Sequence, residues 1–407
     1  MKVLFITNAL THYFNLVLSR LNEEDDIELV CVAPEGNRSN QVGAGVNLTK
    51  KGINFKVIEL KERKRFYLYS SFQGLAKTIE GEKPDIVMTV GMSLPAFLLD
   101  SSLKKIMHLH NISLILKDHP FRLLSYTEAL KAISVNNREF NCPPLLNKMI
   151  ALLKMNKVIR KVQLKIKKES LLLPDAHVHY VDAVDILSSY GVDREKLFIT
   201  RNSPDTDSLF TAKKELKKSP RILPDNPHRL IHVGRLVAWK KVDMLIRSFA
   251  VVRQQHPTAE LLIIGKGPEE ICLKQLALDL NLGNSVSFLG GVYEQKKLGQ
   301  YLNESSLYVL AGMGGLSIND AMLFSLPVLC SVCDGTEKFL VREGVNGRYF
   351  KEGDEKDLEE KITWFFENHQ EGKKMGMMSE RIIKDEVNVH TVIDSYIKAF
   401  KYTRRNR

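Results

Sequence analysis

His232-Val-Gly-Arg-Leu-Val-Ala-Trp-Lys-Lys-Val-Asp243 closes one apolar run and opens another of helical period. The run 229–233 reads as a strand ending at Val233. Gly234 permits a tight turn, and a helix follows through Phe249 and Ala250. A strand, a turn and a helix in this order form the unit from which parallel doubly wound sheets are built. Ligands of such sheets bind beyond the carboxyl ends of the strands. Arg235 on the turn and Lys240 near the helix start therefore fall where a ligand is expected. Two cations with helix amides nearby suit a diphosphate. A pair of solvated basic residues would show the same spacing.

Working outward, the same alternation recurs along the chain. Toward the N-terminus the apolar, β-rich runs are 3–7, 27–33, 54–60, 85–90, 112–117, 176–181 and 197–200. Toward the C-terminus they are 229–233, 260–264, 284–288, 307–310 and 327–331. A polar, Pro-containing stretch separates the two sets. The expected organisation is an N-terminal Rossmann-like domain over 1–210, a linker over 211–227 and a second Rossmann-like domain over 228–385. Residues 386–407 are expected to form a C-terminal helix that crosses back to the first domain. At 407 residues, two α/β domains are the natural expectation. The cleft between them is the default site.

Composition narrows the classes. Apolar content of 44% with 26% charged residues is that of a globular protein. No apolar run approaches the about 18 residues of a membrane span, and Val3-Leu4-Phe5-Ile6 is too short for a signal-peptide core. A cytoplasmic protein is expected. The net charge of +11 calls for an anionic partner. Nucleic acid is disfavoured, because no finger or RNP signature is present. Cys330 and Cys333 form a lone CxxC without a second pair, a poor zinc site. Gly265-Lys-Gly267 lacks the GK[ST] of a Walker loop. No GxGxxG follows the first strand, which disfavours a dehydrogenase.

The opening segment resembles the "GRLxxxKG" motif of retaining GT-B glycosyltransferases, family 4, also called glycosyl transferases group 1. Five further segments resemble that family's motifs in the same order: FITRNSPDTDSLF (198–210), LLIIGKGPEE (261–270), SVSFLGGV (285–292), GGLSINDAMLFSLPVLCS (314–331) and EGVNGRYFKEGD (343–354). The N-terminal half matches only as a pattern of strands. The resemblance implies a GT-B fold, with two facing Rossmann-like doubly wound domains and an interdomain cleft. It implies a transferase that moves a sugar from a nucleotide-sugar donor to a glycan or lipid-linked acceptor, in polysaccharide or lipopolysaccharide biosynthesis. Arg235 and Lys240 would hold the donor diphosphate and stabilise the leaving group without a metal. Gly234, Gly267 and Gly290 would line the donor side. Gly314, Gly315, Leu316 and Ser317 would present backbone amides to phosphates or sugar, and Asp320 would hold the ribose hydroxyls. No cofactor is implied.

The departures are informative. The family's "E, seven residues, E" element would place its first glutamate at Gly312, and its second is the shorter Asp320. Lys241 and Ser325 stand where the family has glycines. Asp118 and His119, after the strand 112–117, are candidate acceptor-side acid–base residues, although Asp-His-Pro also reads as a cap and turn. In retaining chemistry the leaving phosphate can itself accept the proton. Asp205 and Asp207 form a DxD inside the hinge-like 198–210 segment, so a metal is not expected there. The alternatives are a GT-B sugar-nucleotide 2-epimerase, or an inactive donor-binding partner subunit, which the missing glutamate at Gly312 would favour.

Residues 148–168 hold eight Lys/Arg and no acid: Lys148, Lys154, Lys157, Arg160, Lys161, Lys165, Lys167 and Lys168. Leu152, Met155, Ile159, Val162 and Ile166 recur at helical spacing as a second stripe. A basic amphipathic helix suits an anionic membrane surface, as does the basic-aromatic stretch 61–69. Peripheral attachment to the inner face of the membrane is the expectation. An ordinary surface helix with its stripe on the core is the plain alternative.

Overall fold

The computed structural model describes residues 1–37, 48–65, 69–118, 123–135, 156–333 and 335–405. They form two compact units, Met1–Thr200 with Ile393–Arg407, and Arg201–Val392.

The first unit contains β1 (Lys2–Ile6), β2 (Glu28–Pro34), β3 (Lys56–Leu60), β4 (Glu62–Arg65), β5 (Tyr69–Phe72), β6 (Ile86–Val90), β7 (Ser113–Asp118), β8 (Ala176–His179) and β9 (Leu197–Ile199). Seven of these make one sheet in the order β3-β2-β1-β6-β7-β8-β9. Every pairing in it is parallel. A parallel sheet is covered on both faces, so its strands are continuous apolar runs. Val3, Leu4, Phe5 and Ile6 of central β1 are accordingly fully buried. The basic stretch 61–69 contributes to an antiparallel pair: Glu62–Arg65 lies against Tyr69–Phe72.

The second unit contains β10 (Arg229–Val233), β11 (Glu260–Ile264), β12 (Val286–Gly290), β13 (Leu307–Leu310), β14 (Val328–Cys330) and β15 (Gly347–Tyr349). They form a parallel sheet in the order β12-β11-β10-β13-β14-β15. Side chains alternate between faces with a period of two. Leu230, Leu261, Ile263, Leu307 and Val309 meet Leu245 and Phe249 of the helix Val242–Gln255. Ile231, Leu262, Ile264, Tyr308 and Leu310 meet Ile318 and Met322 of the helix Ser317–Leu323. The α/β class and the two doubly wound parallel sheets are as expected.

The stretch 211–227 is not a bare connection. Its first residues belong to the helix Thr206–Leu216, capped by Asp205 and buried through Leu209, Ala212 and Leu216. The residues after it are held to the second unit by Glu304, whose carboxylate accepts from the Ile222 and Leu223 amides. The last helix, Val389–Arg405, belongs from Ile393 onward with the first unit.

Candidate active site

The order of the second sheet reverses between β10 and β13, which makes their carboxyl ends its switch point. Two loops leave there. The first runs from Gly234 through a turn of 3-10 helix, Ala238–Lys240, to the helix Val242–Gln255. The second runs from Ala311 to the helix Ser317–Leu323.

The loops are tied together by backbone and by one lysine. The Met313 amide donates to the Trp239 carbonyl at 3.0 Å. Lys240 Nζ donates to the carbonyls of Met313 and Gly314 at 2.7 and 2.6 Å. Lys240, expected where a ligand binds, is only 6% exposed; its stem fills the junction and its ammonium braces the second loop. A Cβ on Gly315 would stand 3.2 Å from that ammonium, and one on Gly234 would stand 3.9 Å from its Cε. Gly234, Gly315 and Lys240 are thus brought to one place. Arg235 is half-buried beside them, with Cζ 5.5 Å from the centre of the Trp239 ring.

Gly312 explains the missing glutamate. A Cβ there would lie 2.3 Å from the Trp239 carbonyl oxygen and 2.6 Å from the Lys240 carbonyl carbon. No side chain fits while the loops remain tied. The neighbouring glycines serve the strand tips. A Cβ on Gly267 would meet the Leu236 carbonyl at 2.1 Å, so this expected donor-side glycine packs against backbone of its own unit. Gly290 has φ +67 and accepts from the Gly265 amide.

Asp320 lies on the first turn of the helix Ser317–Leu323, and burial pushes its carboxyl up to about 7. Ser317 hydrogen-bonds Tyr308 Oη at 2.8 Å, which fixes the helix on β13. Leu316 precedes that helix at its cap position. Lys241 and Ser325, at family glycine positions, both have left-handed backbones, with φ of 49° and 61°.

With this geometry in hand, residues 213–384 match the family described as Glycosyl transferases group 1. The matched residues lie within the second unit. Among curated relatives, an uncharacterized glycosyltransferase of Haemophilus influenzae is 26% identical over 170 residues, 41% of this chain and 47% of that one. N-acetyl-alpha-D-glucosaminyl L-malate synthase of Bacillus anthracis is 22% identical over 230 residues, 55% of this chain and 56% of that one. The chain spans about half the length of the curated relatives it matches. HepE from Anabaena, solved in complex with UDP, superposes over 98% of this chain and 100% of its own with a TM-score of 0.66 at 15% identity. That likeness shows a shared GT-B fold.

The second unit also holds a residue whose role the sequence left unassigned. His232 is fully buried at the end of β10. Its Nδ1 lies 3.1 Å from the Val309 carbonyl and so carries the proton. Nε2 then points a lone pair toward Gly234, 3.2 Å from where a Cβ would be, with no partner among the described residues. Burial lowers its pKa to about 4, and Lys240 adds to the effect, so the ring is neutral at pH 7. The DxD carboxylates are engaged elsewhere: Asp205 caps the helix Thr206–Leu216, and Asp207 meets His390 Nε2 at 3.0 Å. In the first unit, Asp118 ends β7 with its carboxyl against Gly91. His119 lies outside the described residues.

Proposed function

We propose that the chain transfers a sugar from a nucleotide-sugar donor to a lipid-linked or polysaccharide acceptor, with retention of configuration and without a metal. The switch point of the second sheet carries this reading. It gathers a braced lysine, an arginine and glycine-rich backbone within one unit, at the place where open α/β sheets take phosphorylated ligands. As the bond from sugar to phosphate breaks, the nucleoside diphosphate gains negative charge. Fixed cations there favour the transition state over the ground state. Arg235 can fork onto two phosphate oxygens, whereas Lys240 acts as a point charge. Asp320, once ionised, is a planar acceptor for two vicinal ribose hydroxyls. Gly312 weakens the case for a decayed subunit, because the loop is packed around the absence of a side chain.

Attachment to an anionic membrane is part of the same proposal. On the helix Asn156–Leu172, Leu164 and Leu171 face inward, while Val158 and Val162 are 58% and 50% exposed beside the exposed Lys157, Lys161 and Lys165. Lys148, Leu152, Lys154 and Met155 lie outside the described residues. No helix among the described residues is long and apolar enough to cross a membrane. The test is turnover of a panel of nucleotide sugars with lipid-linked and polysaccharide acceptors, in the presence of EDTA, with the anomeric configuration read by NMR. Transfer with retention is expected. Inversion, or loss restored only by manganese or magnesium, contradicts the proposal.

A further inference from the structure

Sheet one ends, like sheet two, in charged residues at its carboxyl edge, and their arrangement has a chemical meaning. Lys117 is the penultimate residue of β7. Its Nζ lies 4.2 Å from the centre of the Phe14 ring and 4.4 Å from that of Tyr180. Phe14 is buried and held edge-on by Phe5 at 5.6 Å. An ammonium between two ring faces is attracted by their quadrupoles, yet the rings leave its charge uncancelled. Asp118 follows on the same strand, and a Cβ on Gly91 would stand 2.7 Å from its Oδ2, so the glycine makes room for this carboxyl. His179, on neighbouring β8, approaches the Asp118 main-chain carbonyl through Nδ1 at 3.2 Å. Burial lowers Lys117 to about 8 against the pull of Asp118, so it remains mostly charged at pH 7.

We propose that the carboxyl end of β7 is an oxyanion subsite, in which Lys117 takes a phosphate or carboxylate group carried by the sugar acceptor. An incoming oxyanion supplies the charge that the aromatic faces cannot, and it does so where water is partly excluded and the attraction is strong. The inference rests on glycosyl transfer only in taking this end of the first unit as the acceptor side.

Calorimetric titration of the full chain with glycerol 3-phosphate, L-malate and glycerol tests it. At least one anion should bind about tenfold or more tightly than glycerol, and the two anionic arms separate phosphate from carboxylate recognition. Lys117→Gln should weaken that binding by about tenfold or more, the scale of one hydrogen bond to a charged group. Lys117→Arg should keep it within about threefold, and Lys165→Gln, on the exposed face of the basic helix, should not change it. Equal binding of glycerol and the anions overturns the inference. So does unchanged binding by Lys117→Gln, or a folded Lys117→Arg that fails as fully as the glutamine variant. UDP, titrated separately, reports on the second unit. UDP binding without anion binding defeats this inference alone, whereas anion binding without UDP binding defeats the glycosyl-transfer reading and spares it.

Discussion

Replacing Gly312 by alanine tests whether the absent glutamate is a constraint of the fold or a loss of function. The added methyl would stand 2.3 Å from the Trp239 carbonyl oxygen and 2.8 Å from Lys240 Cα, both rigid backbone. The two switch-point loops must separate to admit it. Overpacking of this kind costs about 1–3 kcal/mol. Separation also weakens the 3.0 Å bond from the Met313 amide to Trp239, worth about 1 kcal/mol. A loss of about 2–4 kcal/mol follows, or roughly 5–15 °C in the melting temperature of a unit of this size. Calorimetric melting measures the loss, and UDP titration measures the damage to the site. Gly312→Glu, which restores the family residue, should behave no better than alanine. A Gly312→Ala chain with wild-type stability and UDP affinity, or a Gly312→Glu chain with improved turnover, would refute the reasoning.

Other outcomes are expected from the same geometry. Lys241→Gly should stabilise the second unit by up to about 1 kcal/mol, because it relieves a left-handed lysine and loses only an exposed pair with Glu352; a clear loss in urea denaturation would put the motif out of register. His232 is held well below its ordinary pKa of 6.5, so below pH 6.5 the unfolded chain binds the proton more readily. Stability should therefore fall from pH 6.5 toward about 4, by up to about 3 kcal/mol from this residue; in urea titrations across this range, a His232→Gln chain with an undiminished acid slope contradicts that assignment. Neutralising Lys157, Lys161 and Lys165 together should weaken sedimentation with anionic vesicles, at about 1 kcal/mol per charge. Binding indifferent to these changes and to salt would exclude an electrostatic attachment. Lys168 is left out of that set because its ammonium packs 4.7 Å from the centre of the Tyr126 ring.

Most of the strands were legible because a strand buried on both faces must be a continuous apolar run. The stretches 229–233, 260–264 and 307–310 match β10, β11 and β13 residue for residue. β15 escaped because it is only Gly347–Tyr349, mostly polar, and gains its place by pairing with β14. The arm Glu62–Arg65 carries charges throughout and reads as a surface patch until Tyr69–Phe72 pairs with it. The helix Thr206–Leu216 was available to the sequence reader: Asp205 is a capping residue, and Leu209, Ala212 and Leu216 recur at helical spacing. In the site, local motifs placed Arg235 and Lys240 on the loop after β10. The burial of Lys240 could not be read, because its partners Met313 and Gly314 lie more than 70 residues away. The same applies to Gly312, whose constraint comes from Trp239, and to Lys117, whose rings come from Phe14 and Tyr180.

The central claim is that the second unit holds a nucleoside diphosphate against Arg235 and Lys240. Steady-state turnover of the best nucleotide sugar by Arg235→Ala tests it most directly, since Arg235 is half-buried and replacing Lys240 would also remove its hydrogen bonds to the second loop. The account predicts a kcat lowered by about 10²–10³, the scale for removing one preorganised donor, with the melting temperature nearly unchanged. An Arg235→Ala chain that melts and turns over like wild type would contradict it.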